Sequence, residues 1–203
     1  MISTDKKYQN GSKKKVVIAI GGNAILQKNQ IGTYKEQQKN IQKIAKSIAS
    51  IVLGKHLYKI SAITHGNGPQ VGNILIQQEY TKKVPKLPMH AAVAMTQGQI
   101  GYMLQQALQN EFKKLKKDRK IVSLITQTVV AKKKSKLVQS SPSKPIGPYF
   151  TELEVKKLRK DTNQIFRRVK PAGVKTWRRV VPSPKPLEIV ELNIVKELAE
   201  DSC

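Results

Sequence analysis

The chain has 203 residues, 39% of them apolar, and its 38 lysines and arginines against 13 acids give a formal net charge of +25. That length can bury a sizeable core without cross-links. The single cysteine, Cys203, excludes an intrachain disulfide and makes a reducing cytoplasm the expected compartment. The opening stretch Met1–Lys15 is polar and lysine-rich, unlike a secretory signal, and apolar runs such as Val16–Ile20 are far too short to span a bilayer, so no membrane partner is expected.

A charge this large invites a nucleic-acid reading through counterion release, but its make-up argues against one. Only Arg119, Arg159, Arg167, Arg168, Arg178 and Arg179 are arginines, whereas readers of phosphates and bases favour the bidentate guanidinium. Aromatics are 5% of the chain, too few for a stacking platform. The lysines gather in the first residues, along Lys35–Lys55, at Lys113–Lys120 and at Lys132–Lys136, where solvated faces would put them.

Val16–Ile20 reads as a buried strand that feeds the tight loop Gly21-Gly22-Asn23. Lys35–Leu53, with Ile41, Ile44, Ala45 and Ile48 at helical spacing, reads as an amphipathic helix stopped by Gly54. Leu57–Thr64 is a second strand, ending in His65-Gly66-Asn67-Gly68-Pro69-Gln70, and a helix follows from about Val71. Strand, glycine loop and helix thus occur twice, which predicts an α/β fold with a largely parallel sheet and both loops at its carboxyl edge.

A long helix is predicted over Ala91–Lys117 and a third strand over Ile121–Val130, with Ile125 and Val129 inward. From Ala131 to Pro186 lysines, prolines and short alternating runs suggest an excursion from the sheet. Within it, Thr151-Glu152-Leu153-Glu154 has capping-box spacing, and Val169–Val181 fits a hairpin around Gly173. Glu188–Asp201 closes the chain with a helical stripe of Val190, Ile194, Val195 and Leu198.

Glycine loops of this kind let backbone N–H groups face an anion, and two of them at one sheet edge favour a phosphate or carboxylate ligand. Read alone, the Gly21-Gly22-Asn23 loop is more often a simple turn, the His65–Val71 loop is the stronger signal, and His65 is as much a structural hydrogen-bonding residue as a catalyst. Lys144 sits in a proline-braced loop, Pro142–Pro148, which would mount one cation rigidly beside a transferring phosphoryl group. The chain holds no GxxxxGK[ST] loop, HExxH, CxxC or GxSxG.

Five segments in order, Val17–Ala24, Thr64–Gly72, Ala94–Tyr102, Ser143–Pro148 and Arg178–Pro186, together resemble carbamate kinase of the amino-acid kinase superfamily. The resemblance implies a three-layer α/β/α sandwich, a homodimer, and reversible phosphoryl transfer between carbamoyl phosphate and ADP, yielding carbamate and ATP with Mg²⁺. It implies that Gly21, Gly22, Asn23, Gly66, Asn67 and Gly68 line the carbamoyl phosphate site and that Lys144, on a protruding subdomain at about 131–186, reaches the transferred phosphate. Sibling kinases carry a lysine in the first strand, where Ala19 stands here, so Lys144 takes its place.

Residues 1–15 are then a basic tail and 16–203 an amino-terminal lobe. The family continues into a second glycine-rich loop with the nucleotide residues, so a chain cut before that lobe is expected to be inactive by itself. The competing readings are a non-catalytic anion-binding or dimerising module and, behind it, a basic nucleic-acid binder. Further departures from the family are His90, Ala131-Lys132-Lys133-Lys134 and Lys170–Thr176, where the family carries acidic residues.

Overall fold

A computed structural model describes residues 14–27, 29–53, 58–81, 83–131, 142–161, 164–172 and 175–201. They form two compact units, one from Met1–Gly66, Gly101–Ser123 and Asn193–Cys203, the other from Asn67–Ile100 and Leu124–Leu192.

In the first unit, β1 (Lys14–Ile20) leads through a single helical turn, α1 (Gly22–Ile25), to α2 (Tyr34–Leu53) and β2 (Tyr58–His65). β1 and β2 are parallel, with Ile18 opposite Ile63 and Ile20 opposite His65. Their connection runs through α2, as a parallel pair requires. Helix α2 starts with a capping box that the sequence reading overlooked. The Glu36 backbone N–H donates to Thr33 Oγ1 at 3.2 Å, and Glu36 Oε2 accepts from the Thr33 and Gly32 backbone at 2.9 Å. These bonds, the Thr33 backbone first, hold the Glu36 carboxyl below its ordinary pKa.

Ile41, Ala45, Ile48 and Ala49 recur at helical spacing and are buried, as are Ile20 and Ile25. Each fully buried branched side chain contributes about 1.5–3 kcal/mol over its exposed state. Asn40 enters this apolar face because its amide nitrogen donates to the Ile25 carbonyl at 3.0 Å and to Gln30 Oε1 at 2.6 Å. Met103, Leu104, Ala107, Leu108 and Phe112, in the later part of a long helix, are also buried in this unit. Val17 remains 62% exposed, so one face of β1 is left open to solvent among the described residues.

The second unit begins with α3 (Gly68–Tyr80), where Pro69 sits in the first turn, its missing N–H costing nothing. α4 (Met89–Lys114) follows and crosses from the second unit to the first at Gly101. The predicted third strand shrinks to β3 (Thr128–Val130), which pairs antiparallel with β7 (Pro186–Ile189), a strand absent from the sequence reading. Ile125 and Val129 are 51% and 39% exposed, against the inward positions expected of them. The physical reason lies at Gln97 of α4. Its side-chain amide donates to the Thr126 carbonyl at 3.1 Å and accepts from the Thr126 N–H at 2.8 Å, so a side chain stands where a neighbouring strand would.

β4 (Lys144–Phe150), β5 (Ile165–Ala172) and β6 (Lys175–Val181) form an antiparallel sheet in the order β4-β6-β5, with α5 (Glu152–Asp161) packed against β6. The predicted hairpin is the β5–β6 pair; Gly173 itself lies outside the described residues. Of the basic segments read from the sequence, residues 1–13 and 132–141 also lie outside them. The Thr151–Glu154 capping box forms, the Glu154 N–H donating to Thr151 Oγ1 at 3.2 Å. α6 (Leu192–Asp201) closes the chain, with Ile194 and Leu198 exposed. Parallel pairing among the described residues is confined to β1 and β2; the other two sheets are antiparallel.

Candidate functional site

Parallel pairing brings the two glycine loops to the same ends of β1 and β2. The Gly66 N–H donates to the Ile20 carbonyl at 3.0 Å, continuing the ladder one residue beyond β2. Gly21, extended at φ −71° and ψ 156°, caps the turn that holds Gly22 and Asn23, and its carbonyl accepts from the Ala24 N–H at 3.0 Å. Gly21, Gly22, Asn23 and Gly66 are therefore neighbours at one strand edge of the first unit. Asn67 and Gly68 follow Gly66 directly in the chain and belong to the second unit, as does Lys144.

Neither conformation nor crowding within this chain demands glycine at several of these positions. A Cβ added at Gly21 or Gly68 would meet nothing within 4 Å, and one at Gly66 would make only an ordinary 3.7 Å contact with the Gly22 nitrogen. None of the three has a positive φ. Side chains here would project into open space above the backbone, so their absence keeps that space clear. Gly101 is the contrasting case: its Cβ would lie 3.0 Å from both Cβ and Oγ of Ser123, so a side chain there would have to push Ser123 back.

The loops divide the work differently from the sequence reading. The Gly66 N–H is already committed to Ile20, so Gly66 contributes clearance, not a donor. Asn67 turns its amide nitrogen toward α4, donating to Thr96 Oγ1 at 2.9 Å and to the Val93 carbonyl at 3.2 Å. Thr96 is fully buried, and its hydroxyl also reaches the Ala92 and Val93 carbonyls at 3.0 and 2.9 Å. Thr96 is thus the anchor of the second loop. The sequence signal was the segment Ala94–Tyr102, whose likeness to carbamate kinase carries no physical role for Thr96 by itself.

His65 is half-buried at the end of β2, and its Nδ1 is buried without a partner at bonding distance. Burial pushes the imidazole pKa below its ordinary value, the Gly66 backbone opposing this in part. A neutral ring at neutral pH follows.

Lys144 opens β4 opposite Val181 and is exposed. The proline-rich segment is an edge strand, not the loop expected, and edge strands are where prolines are tolerated. Its irregularity is Gly147, at φ 67°, between the Ile146 and Tyr149 pairings. Arg178 Nη2 donates to the Gly147 carbonyl at 2.7 Å, tying this bulge to the next strand. The strand that carries Lys144 is therefore braced by Arg178, a contact that the sequence reading did not single out.

Among the described residues no group of three or more His, Cys, Asp or Glu side chains could hold a metal ion. A carboxylate cage for Mg²⁺ does not fit what they offer, and no described residue is assigned to nucleotide. Among them, too, no helix is long and apolar enough to cross a membrane.

No family model matches the chain. It is 47% identical to the carbamate kinase of Thermococcus kodakarensis over 190 residues, covering 92% of this chain and 58% of that protein. It is 45% identical to the carbamate kinase of Pyrococcus horikoshii over the same shares. Among solved structures, carbamate kinase from Giardia lamblia bound to AMP-PNP superposes with a TM-score of 0.78 at 42% identity, over 94% of this chain and 58% of that one. The chain thus spans less than two thirds of the length of these relatives.

Proposed function

From a chain homologous to carbamate kinases along 92% of its length, we propose a carbamate kinase lobe that holds carbamoyl phosphate on the Gly21–Asn23 and Gly66–Gly68 loops. The carrying observation is that the glycines at 21, 66 and 68 leave open space at loops where this fold would accept a side chain. Clearance lets an anion come down onto backbone dipoles, the least flexible donors a protein has.

The proposed reaction moves the phosphoryl group of carbamoyl phosphate to the terminal phosphate of ADP, releasing carbamate and forming ATP. Such transfer runs through charge spread over phosphoryl oxygens, so positioning and electrostatics carry most of the catalysis. Lys144 is the proposed cation for that charge, and the Arg178 brace on Gly147 fixes the strand that bears it. Asn67, held by Thr96, shapes the second loop. Nucleotide with Mg²⁺ would supply the acceptor and further charge neutralisation when bound. The three-layer α/β/α arrangement, the subdomain at about 131–186, the homodimer and a cytoplasmic setting belong to the same proposal, carried by the resemblance.

The test is a calorimetric titration of carbamoyl phosphate into the 203-residue chain and into Gly21→Val and Gly66→Val. Binding should weaken at least about tenfold in each variant while the thermal midpoint stays within about 2 °C, because the valines fill space and break no packing. Equal affinity in all three proteins would overturn the proposal. In-line transfer needs both substrates held together, and the chain spans 58% of its relatives' length. The 203 residues are therefore expected to bind without making ATP; turnover abolished by Lys144→Ala would refute that and place the whole reaction on this chain.

A further inference from the structure

We propose that the face of the β4-β6-β5 sheet bearing Tyr149, Arg167 and Arg178 is a second anion site, built for a phosphate group. Five of the six arginines, Arg159, Arg167, Arg168, Arg178 and Arg179, belong to this sheet and its helix α5, although lysine dominates everywhere else. The register sorts them. Arg168 lies opposite Trp177, and Arg179 opposite Phe166 and Ile146, on the face where α5 packs. There the guanidinium groups have structural work: Arg159 and Arg168 lie 5.3 and 5.8 Å from the Trp177 ring centroid, Arg168 also pairs with Glu152 at 3.8 Å, and Arg159 donates to the Phe166 carbonyl.

Among the described residues the opposite face has no such balance. Arg167 stands directly across from Arg178, and Arg178 across from Tyr149. Directly opposed side chains on an antiparallel pair have Cβ atoms about 4.5–5.5 Å apart, and like charges in that position repel. The residues sharing this face in register are Pro145, Tyr149, Ile165 and Val180, none of them acidic. Arg178 is already oriented by its bond to Gly147 and by the Tyr149 ring 5.0 Å away, yet its Nε is buried without a partner. Arg167 is exposed, and among the described residues it makes no hydrogen bond or ion pair. An arginine pair with no acidic partner on its face, one member pre-oriented and the other exposed, suits an oxyanion large enough to bridge two guanidinium groups, which is the geometry of phosphate.

By register Lys144 lies on the other face, with Ile146 and Arg179, so this site is separate from the one proposed for carbamoyl phosphate. The experiment titrates inorganic pyrophosphate into the chain at low ionic strength, followed by ³¹P NMR, with Arg167→Gln and Gly66→Val beside it. Arg167→Gln should weaken pyrophosphate at least about tenfold with no change in thermal midpoint, and Arg167→Lys should recover part of the loss. Gly66→Val should leave this binding intact. A mixed-sequence single-stranded RNA in competition identifies the source: displacement of pyrophosphate that depends on Arg167 makes the natural ligand a nucleic-acid phosphate, and no RNA binding makes it a free phosphate compound. The proposal falls if pyrophosphate binds equally well to Arg167→Gln, or if Gly66→Val is the variant that loses it, since the anion would then sit on the glycine loops.

Discussion

Strands β1 and β2 run parallel, joined by a backbone ladder that ends in glycines, while β4, β6 and β5 run antiparallel and are knit together by rings and guanidinium groups. In the first region the main chain makes the bonds, and the glycines at the loops leave the space above them open. In the second, Phe150 meets Phe166 edge-on at 5.4 Å and Arg178 binds across to Gly147, so side chains set the geometry of the strand that carries Lys144. The two glycine loops and the strand that carries Lys144 are thus held in place by opposite means.

The largest test of this contrast is Phe166→Ala. Phe166, on β5, is 3% exposed and packs against Phe150, so its truncation should cost about 3–5 kcal/mol in a urea melt. A cost below about 1 kcal/mol would mean that the aromatic contacts do not hold this sheet. Next comes a pair of glycine substitutions. Gly101→Ala forces a Cβ to within 3.0 Å of Ser123 and should destabilise by about 1–3 kcal/mol, whereas Gly21→Ala, with nothing within 4 Å, should be nearly neutral. Equal costs would erase the distinction between glycines kept for packing and glycines kept for clearance.

The smallest effect is a pH dependence from His65. Burial holds its folded pKa below the ordinary value, so on acidification the unfolded chain takes up the proton first. The stability contribution is complete above about pH 6.5 and declines as pH falls below it toward the folded pKa. His65→Gln should flatten the slope of urea midpoint against pH between about 5 and 7; an unchanged slope would assign it to other groups.

The parallel pair, its helices and both glycine loops were legible because β-branched runs, helical spacing and glycine pairs are local signals. Val16–Ile20 and Leu57–Thr64 fall within a residue or two of β1 and β2. The third strand was misjudged for a physical reason: Ile121–Val130 has strand composition, but Gln97 supplies the bonds that a neighbouring strand would have given, and composition does not reveal which partner a backbone will find. β7 was hidden inside Pro186–Ile189 because four residues beginning with proline carry little periodicity. At the site the glycines were visible but their separate duties were not. That Gly66 spends its N–H on Ile20, that Thr96 anchors Asn67, and that Arg178 braces the segment of Lys144 all depend on contacts 29 to 46 positions away along the chain.

The Gln97 amide also acts as a register lock. Its two antiparallel bonds to the main chain of one residue can be made only when Thr126 faces that rung of α4, so sliding the segment by a single position breaks both together. Glutamate at position 97 would keep the acceptor and lose the donor, setting an anion against the Thr126 carbonyl. One amide nitrogen thereby decides where the polypeptide leaving α4 is pinned before it enters β3.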